Sequence, residues 1–104
     1  MWKNIRCEGI AKIEKLVGEY DIWELEKSPY GKFKIKIFQE KENLYVGYTN
    51  IHVIDESGSF EGAVGFGKTE EEALEDTIKE YLEKVSWKEH WEETDFQWAE
   101  YSDF

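Results

Sequence analysis

The chain is short of several things that common classes of protein need. It has one cysteine, Cys7, in 104 residues, so no disulfide can form within it and a disulfide-stapled secreted scaffold is excluded. No activating base is recognisable beside Cys7, which therefore reads as a small, semi-buried apolar residue rather than a nucleophile. There are two histidines, His52 and His90, in unlike settings, and no short-spaced Cys/His set, so neither a metal nor a cofactor is expected. His52 lies in an apolar run and reads as a packed strand residue. Only one proline occurs, Pro29, and there is no Ser/Gly-rich linker, so residues 1–104 read as a single domain. No apolar run reaches the roughly 18 residues of a membrane span. Met1-Trp2-Lys3-Asn4-Ile5-Arg6 leads into no apolar stretch of a secretory signal, and a reducing cytoplasm is the expected setting. Basic residues are also scarce: 13 Lys and Arg face 24 Asp and Glu, a formal net charge of −11. Phosphate backbones and anionic membranes repel such a chain, so neither is expected as a direct partner, whereas basic proteins are attracted.

What is present suffices for a folded core, with 40% apolar and 16% aromatic residues. The charge is uneven. Residues 1–41 hold nine basic and seven acidic residues, and residues 42–104 hold four basic and 17 acidic, so nearly all the imbalance lies in the second part.

Periodicity orders the elements. Ile10, Ile13, Leu16 and Val17 recur at helical spacing and predict a short helix over 8–19, weakened at its end by Gly18. Residues 20–27 alternate like a strand, with Trp23 and Leu25 on one face, and Ser28-Pro29-Tyr30-Gly31 is a turn. Phe33, Ile35 and Ile37 against Lys32, Lys34 and Lys36 make residues 32–39 the clearest strand. A turn at Glu40 to Asn43 leads to a strand from Leu44 to Ile54. Its apolar parity changes between Val46/Tyr48 and Ile51/Val53, which predicts a bulge near Thr49-Asn50. After a turn at Asp55 to Gly58, Phe60, Gly62, Val64 and Phe66 continue the meander. Thr69 then caps a helix in which Glu72 reaches back in a capping box, with an apolar stripe of Leu74, Ile78, Tyr81, Leu82 and Val85. The expected fold is an α+β two-layer sandwich: helix, three or four antiparallel strands, helix, both helices on one sheet face.

Gly62-Ala63-Val64-Gly65-Phe66-Gly67-Lys68-Thr69 matches the phosphate-loop pattern G-x-x-x-x-G-K-[ST]. Its context does not fit. The strands before it are joined by tight turns and so run antiparallel, whereas that loop belongs to a parallel sheet. The helix after it opens with Glu70-Glu71-Glu72, which repel phosphate. A nucleotide-binding enzyme using this loop is the least favoured reading, and the chain is expected not to be an enzyme. The glycines are instead read as permitting close backbone packing.

Asp55-x-x-Gly58 followed by Gly67-Lys68-Thr69-Glu70-Glu71-Glu72-Ala73-Leu74 gives residues 51–85 a resemblance to HicB-like antitoxins. The family's G-D-T-x-E-E-A-L run falls at this strand-to-helix junction, although the prolines of its P-D-L-P-G turn are absent from Ile54-Asp55-Glu56-Ser57-Gly58. The resemblance implies a scaffold similar to double-stranded-RNA-binding domains, helix, three strands, helix, and an antitoxin that neutralises a small RNase. The helix start that grips RNA with lysines in that fold is here Thr69, Glu70, Glu71 and Glu72, which argues against RNA binding itself.

Residues 86–104 form an acidic, aromatic tail. Ser86 with Glu89 is expected to cap a helical turn that sets Trp87 and Trp91 on one face, and Thr94 with Gln97 repeats the pattern weakly. The tail aromatics serve either to cover the domain or to anchor a partner within an acidic rim. The partner-binding set expected is Glu70, Glu71, Glu72, Glu75 and Asp76 on the helix, with Trp87, Trp91, Glu92, Glu93, Asp95, Trp98 and Tyr101 in the tail. Rows of carboxylates there suit a mimic of nucleic-acid phosphates. Small acidic single-domain chains of this kind resemble phage-encoded anti-defence proteins, including the anti-CRISPR type. The expected function is a non-enzymatic inhibitor of a basic nucleic-acid-binding protein, such as a nuclease or defence effector. A homodimer through an open sheet edge is a further expectation.

Overall fold

The computed structural model describes residues 2–100 and residue 104. Strands β1 (Lys15–Trp23), β2 (Lys32–Lys41), β3 (Leu44–Ile54) and β4 (Phe60–Gly67) form an antiparallel meander in that order. Helix α1 (Glu70–Lys84) packs on one face, and a short strand β5 (Phe96–Trp98) pairs with β3. The class is α+β, with one α-helix among the described residues.

The helix expected over 8–19 is not formed. Residues 5–14 have no regular structure beyond the turn that closes Ile10 N–H on the Cys7 carbonyl, and Lys15–Trp23 is an edge strand. A register shift between Leu16 and Gly18 leaves Val17 as the extra residue of a bulge. Adjacent Leu16 and Val17 therefore differ in burial, Leu16 exposed and Val17 half-buried against the core, instead of sharing a helical stripe. Tyr20 and Ile22 continue the inward phase, and Glu19 and Asp21 lie opposite Lys36 and Lys34. Gly18 is not a helix terminator: a Cβ there would meet the Glu70 carboxylate at 2.5 Å. Cys7, in the segment before β1, is exposed rather than semi-buried.

The turns follow their chemistry. Gly31, at positive φ, donates to the Ser28 carbonyl, and Gly58, also at positive φ, donates to the Asp55 carbonyl. Asp55 accepts from the Ser57 hydroxyl and from the Ser57 and Ser59 N–H groups. Burial tends to raise the Glu24 carboxyl, but hydrogen bonds from Glu26, Lys27 and Ser28 outweigh it and hold the group below the usual carboxylate range.

On β2, Phe33, Ile35 and Ile37 point into the core as expected. The bulge predicted on β3 is present: pairing with β4 shifts register between Tyr48 and His52. Thr49 repairs the gap by accepting from Ala63 N–H and donating to the Ile51 carbonyl, both at 2.9 Å. Asn50 marks the fork where β2 leaves β3 and β5 takes its place. Its side-chain oxygen accepts from Lys34 N–H and its carbonyl accepts from Ala99 N–H.

β4 forms where expected, but its large apolar residues face away from the helix. Ala63 and Gly65 are buried, while Val64 is 38% and Phe66 57% exposed. The reason lies in α1. A Cβ on Gly65 would collide with the Thr77 backbone, one on Gly47 with the Thr77 side chain, and one on Gly67 with the Ala73 backbone. The helix thus sits directly on backbone, and its small residues Ala73 and Thr77 face the sheet with Tyr81 and Val85. The stripe expected from Leu74, Ile78 and Leu82 is rotated outward: the first two are half-buried and Leu82 is 47% exposed. Thr69 caps the helix by accepting from Glu72 N–H at 3.1 Å. Glu72 reaches back to Lys68 N–H, one residue before the capping-box position. At the far end the rings of Tyr81 and Phe33 lie 4.2 Å apart, the Tyr81 hydroxyl meets the Ser28 hydroxyl at 2.6 Å, and burial pushes the Tyr81 phenol up to about 12.

Candidate interaction surface

Helix α1 has three longitudinal sides. Ala73, Thr77 and Tyr81 face the sheet. Asp76 reaches the outer edge of β4 and accepts Phe66 N–H at 2.8 Å, closing an edge group that a neighbouring strand would otherwise pair with. The third side faces solvent and carries Glu71, Glu75 and Glu83.

The five helix carboxylates expected to form one surface therefore divide. Glu70 is half-buried and accepts from the Tyr20 hydroxyl, a bond that also raises the Tyr20 phenol. Glu72 and Asp76 hold backbone N–H groups of Lys68 and Phe66. These three are tied to the fold. Glu71 and Glu75 are free of such duties among the described residues, apart from an exposed Glu75–Lys79 pair at 3.2 Å. With Leu74, Ile78 and Lys79 they line an open concavity of about 500 Å³ along the β1 side of the helix.

The tail divides in the same way. Among the described residues no helical turn starts at Ser86 or at Thr94; a short 3₁₀ turn at Glu93–Asp95 stands in place of the two turns expected there. Phe96 is buried and Trp91 packs half-buried against it, with Trp87 edge-to-face on Trp91 at 5.7 Å. The Trp87 indole donates to the Ile54 carbonyl and that of Trp91 to the Lys88 carbonyl. Lys88 lies over both indole rings and bonds Asp95 at 2.8 Å, which holds the Asp95 carboxyl below its ordinary range. Trp87, Trp91, Phe96 and Asp95 are thus a closing clasp on the core. Trp98 is stacked on Tyr30 at 5.7 Å and is 45% exposed. Glu92 and Glu93 are exposed, and Glu93 accepts from the Tyr30 hydroxyl. Tyr101 lies outside the described residues.

The expected residues do not make one patch. Glu71 and Glu75 sit near the helix start, and Glu92 and Glu93 follow its end, about 20 Å away along a 15-residue helix. Glu83 bridges the interval. Sequence reasoning missed the exposed apolar positions of α1. The signal was available in the Gly65-x-Gly67 spacing, which demands small helix residues inward and so turns the leucines outward.

The Gly62–Thr69 segment is strand and cap. The space beside Gly65 and Gly67 is filled by the helix and that beside Gly62 by His52, and Lys68 N–H is taken by Glu72. Among the described residues, no group of Cys, His, Asp and Glu is placed to hold a metal, and no helix is long and apolar enough to cross a membrane. No protein-family model, curated protein or solved structure matches the chain.

Proposed function

We propose that the protein is a non-enzymatic inhibitor that occupies the nucleic-acid site of a basic protein, in the manner of phage anti-defence proteins of the anti-CRISPR type. The observation that carries this reading is the solvent side of α1, where Glu71, Glu75 and Glu83 stand exposed on a rigid helix with Glu92 and Glu93 beyond its end. An i,i+4 step rises ~6 Å and a strand of duplex DNA advances ~3.4 Å per phosphate, so Glu71 and Glu75 are spaced about two phosphates apart, while Lys79 takes the next position of the row before Glu83. Carboxylates held this way match Lys and Arg side chains that otherwise hold phosphate, and the surrounding negative field speeds encounter. The occupied glycine positions of Gly62–Thr69 weigh against the nucleotide-binding alternative.

The second reading, a HicB-like antitoxin, draws on the capped junction of Gly67 to Leu74. The strand at Lys15–Trp23 departs from that scaffold, which begins with a helix. One experiment separates them. Tagged protein and its Glu71→Lys/Glu75→Lys/Glu83→Lys variant are used to capture partners from a bacterial lysate, identified by mass spectrometry. The inhibitor reading expects a basic nucleic-acid-binding effector that the variant fails to retain. A small RNase retained by both supports the antitoxin reading, and capture of no basic protein removes both.

A further inference from the structure

The two outer strands of the meander end the sheet differently. On β4 the outward Phe66 N–H is taken by Asp76. On β1 the pairing phase is set by Glu24 N–H, which donates to the Gly31 carbonyl opposite it, and by Lys34 N–H, which turns away from β1 to Asn50. Tyr20 and Ile22 therefore hydrogen-bond with β2, and the N–H and C=O groups of Glu19, Asp21 and Trp23 point out of the sheet. Among the described residues, no neighbouring strand or side chain takes these groups. The side-chain layer is incomplete at the same place. Val17, Tyr20 and Ile22 are half-buried against the core, whereas Phe33, Ile35 and Ile37 beside them on β2 are at most 2% exposed. We infer that the outer edge of β1 is a strand-addition site, occupied by an extended segment of a partner protein in which basic and apolar residues alternate.

The chemistry of the occupant is written in β1 itself. Unpaired N–H and C=O groups at every second residue are complementary to the backbone of an extended chain. The side chains such a strand needs are shown by β2 on the other side of β1. There Phe33 and Ile35 lie opposite Ile22 and Tyr20, and Lys34 and Lys36 lie opposite Asp21 and Glu19. A strand on the outer edge meets the same two faces of β1. The acidic face has charge to spare: Glu19 and Asp21 share the one Lys34 ammonium, at 3.5 and 2.9 Å, and both side chains remain 45% exposed. Lys36 bonds the Phe104 carbonyl instead. A second copy is the poorer occupant, because a two-fold antiparallel pairing through all three outward residues sets the two copies of Asp21 against each other. The site uses none of the α1 carboxylates, so it goes beyond the inhibitor reading and is tested apart from it.

The test uses the full chain and a fluorescein-labelled synthetic peptide with the β2 sequence Lys32–Phe38, read by fluorescence anisotropy and amide hydrogen exchange. Antiparallel addition pairs the lysine N–H and C=O groups of the peptide with Glu19, Asp21 and Trp23, and turns the N–H groups of its apolar residues to solvent. Methyl groups on the lysine backbone nitrogens therefore weaken binding by about tenfold or more, and the same groups on the apolar residues change it by less than about threefold. Bound peptide slows exchange of the Glu19, Asp21 and Trp23 amides by about tenfold or more, and Asp21→Lys weakens binding by about tenfold. Equal effects of the two methylation patterns, or equal binding of a scrambled peptide, leave charge attraction alone and overturn the site, as does a wild type that binds no peptide. Protection of the same amides without peptide, together with a dimer in sedimentation equilibrium, gives the edge to a second copy and overturns the occupant.

Discussion

Where α1 covers the sheet, the strands present Gly47, Ala63, Gly65 and Gly67. On the opposite face the same strands present Tyr48, Val64 and Phe66. The helix side gains closeness at the expense of side-chain volume, so its tolerance for added atoms is low. The other side holds larger side chains, and at its edge strand Val64 and Phe66 are exposed and tolerate change. Hydrophobicity alone does not distinguish the two faces, because the larger apolar residues of β4 lie on the more exposed one. Volume and the presence of a covering helix distinguish them.

The largest expected effect tests that contrast at one residue. Gly65→Val destabilises by about 3 kcal/mol, because the new side chain meets the Thr77 backbone rather than a movable side-chain end. Urea unfolding followed by circular dichroism checks it, and near-wild-type stability would break the close-approach account. Next comes alkaline pH. The Tyr81 phenol titrates at about 12 in the fold against an ordinary 10.0. Because the folded value is the higher, the contribution is whole below pH 10 and is lost as pH rises toward 12, on the order of 2–3 kcal/mol. Comparing wild type with Tyr81→Phe across this window isolates it, since the variant should lack that step. A smaller effect, about 1 kcal/mol, is expected for Thr69→Ala, which leaves Glu72 N–H without its capping oxygen. The smallest is Phe66→Lys on the open face, within about 0.5 kcal/mol, read from the same unfolding curves. If Phe66→Lys costs as much as Gly65→Val, the two faces are not built differently.

Much of the fold was legible where local chemistry and periodicity agreed. β2 combines a clean period of two with turn residues at both ends, β3 carries its bulge as a parity change, and Thr69 with Glu72 announces the helix start. The segment before Tyr20 was misread because a bulge at Val17 imitates helical spacing over four residues. The rotation of α1 was misread because the deciding atoms, the absent side chains of Gly47, Gly65 and Gly67, act across the sheet and not along the helix. The carboxylates of the candidate surface were visible in sequence as a group. Their division into Glu70, Glu72 and Asp76, which hold the fold, and Glu71 and Glu75, which do not, depends on contacts with Tyr20, Lys68 and Phe66 that no spacing reveals. In the tail, Lys88 settled the matter by gathering Trp87, Trp91 and Asp95 into one clasp.

The most direct test of the central claim is the salt dependence of partner binding, measured for the captured basic protein in the presence and absence of its own nucleic acid. The account predicts that affinity falls by about tenfold or more between 50 and 200 mM salt, and that nucleic acid and this protein exclude each other from the partner. Affinity unchanged across that range, or simultaneous binding of both, would contradict it.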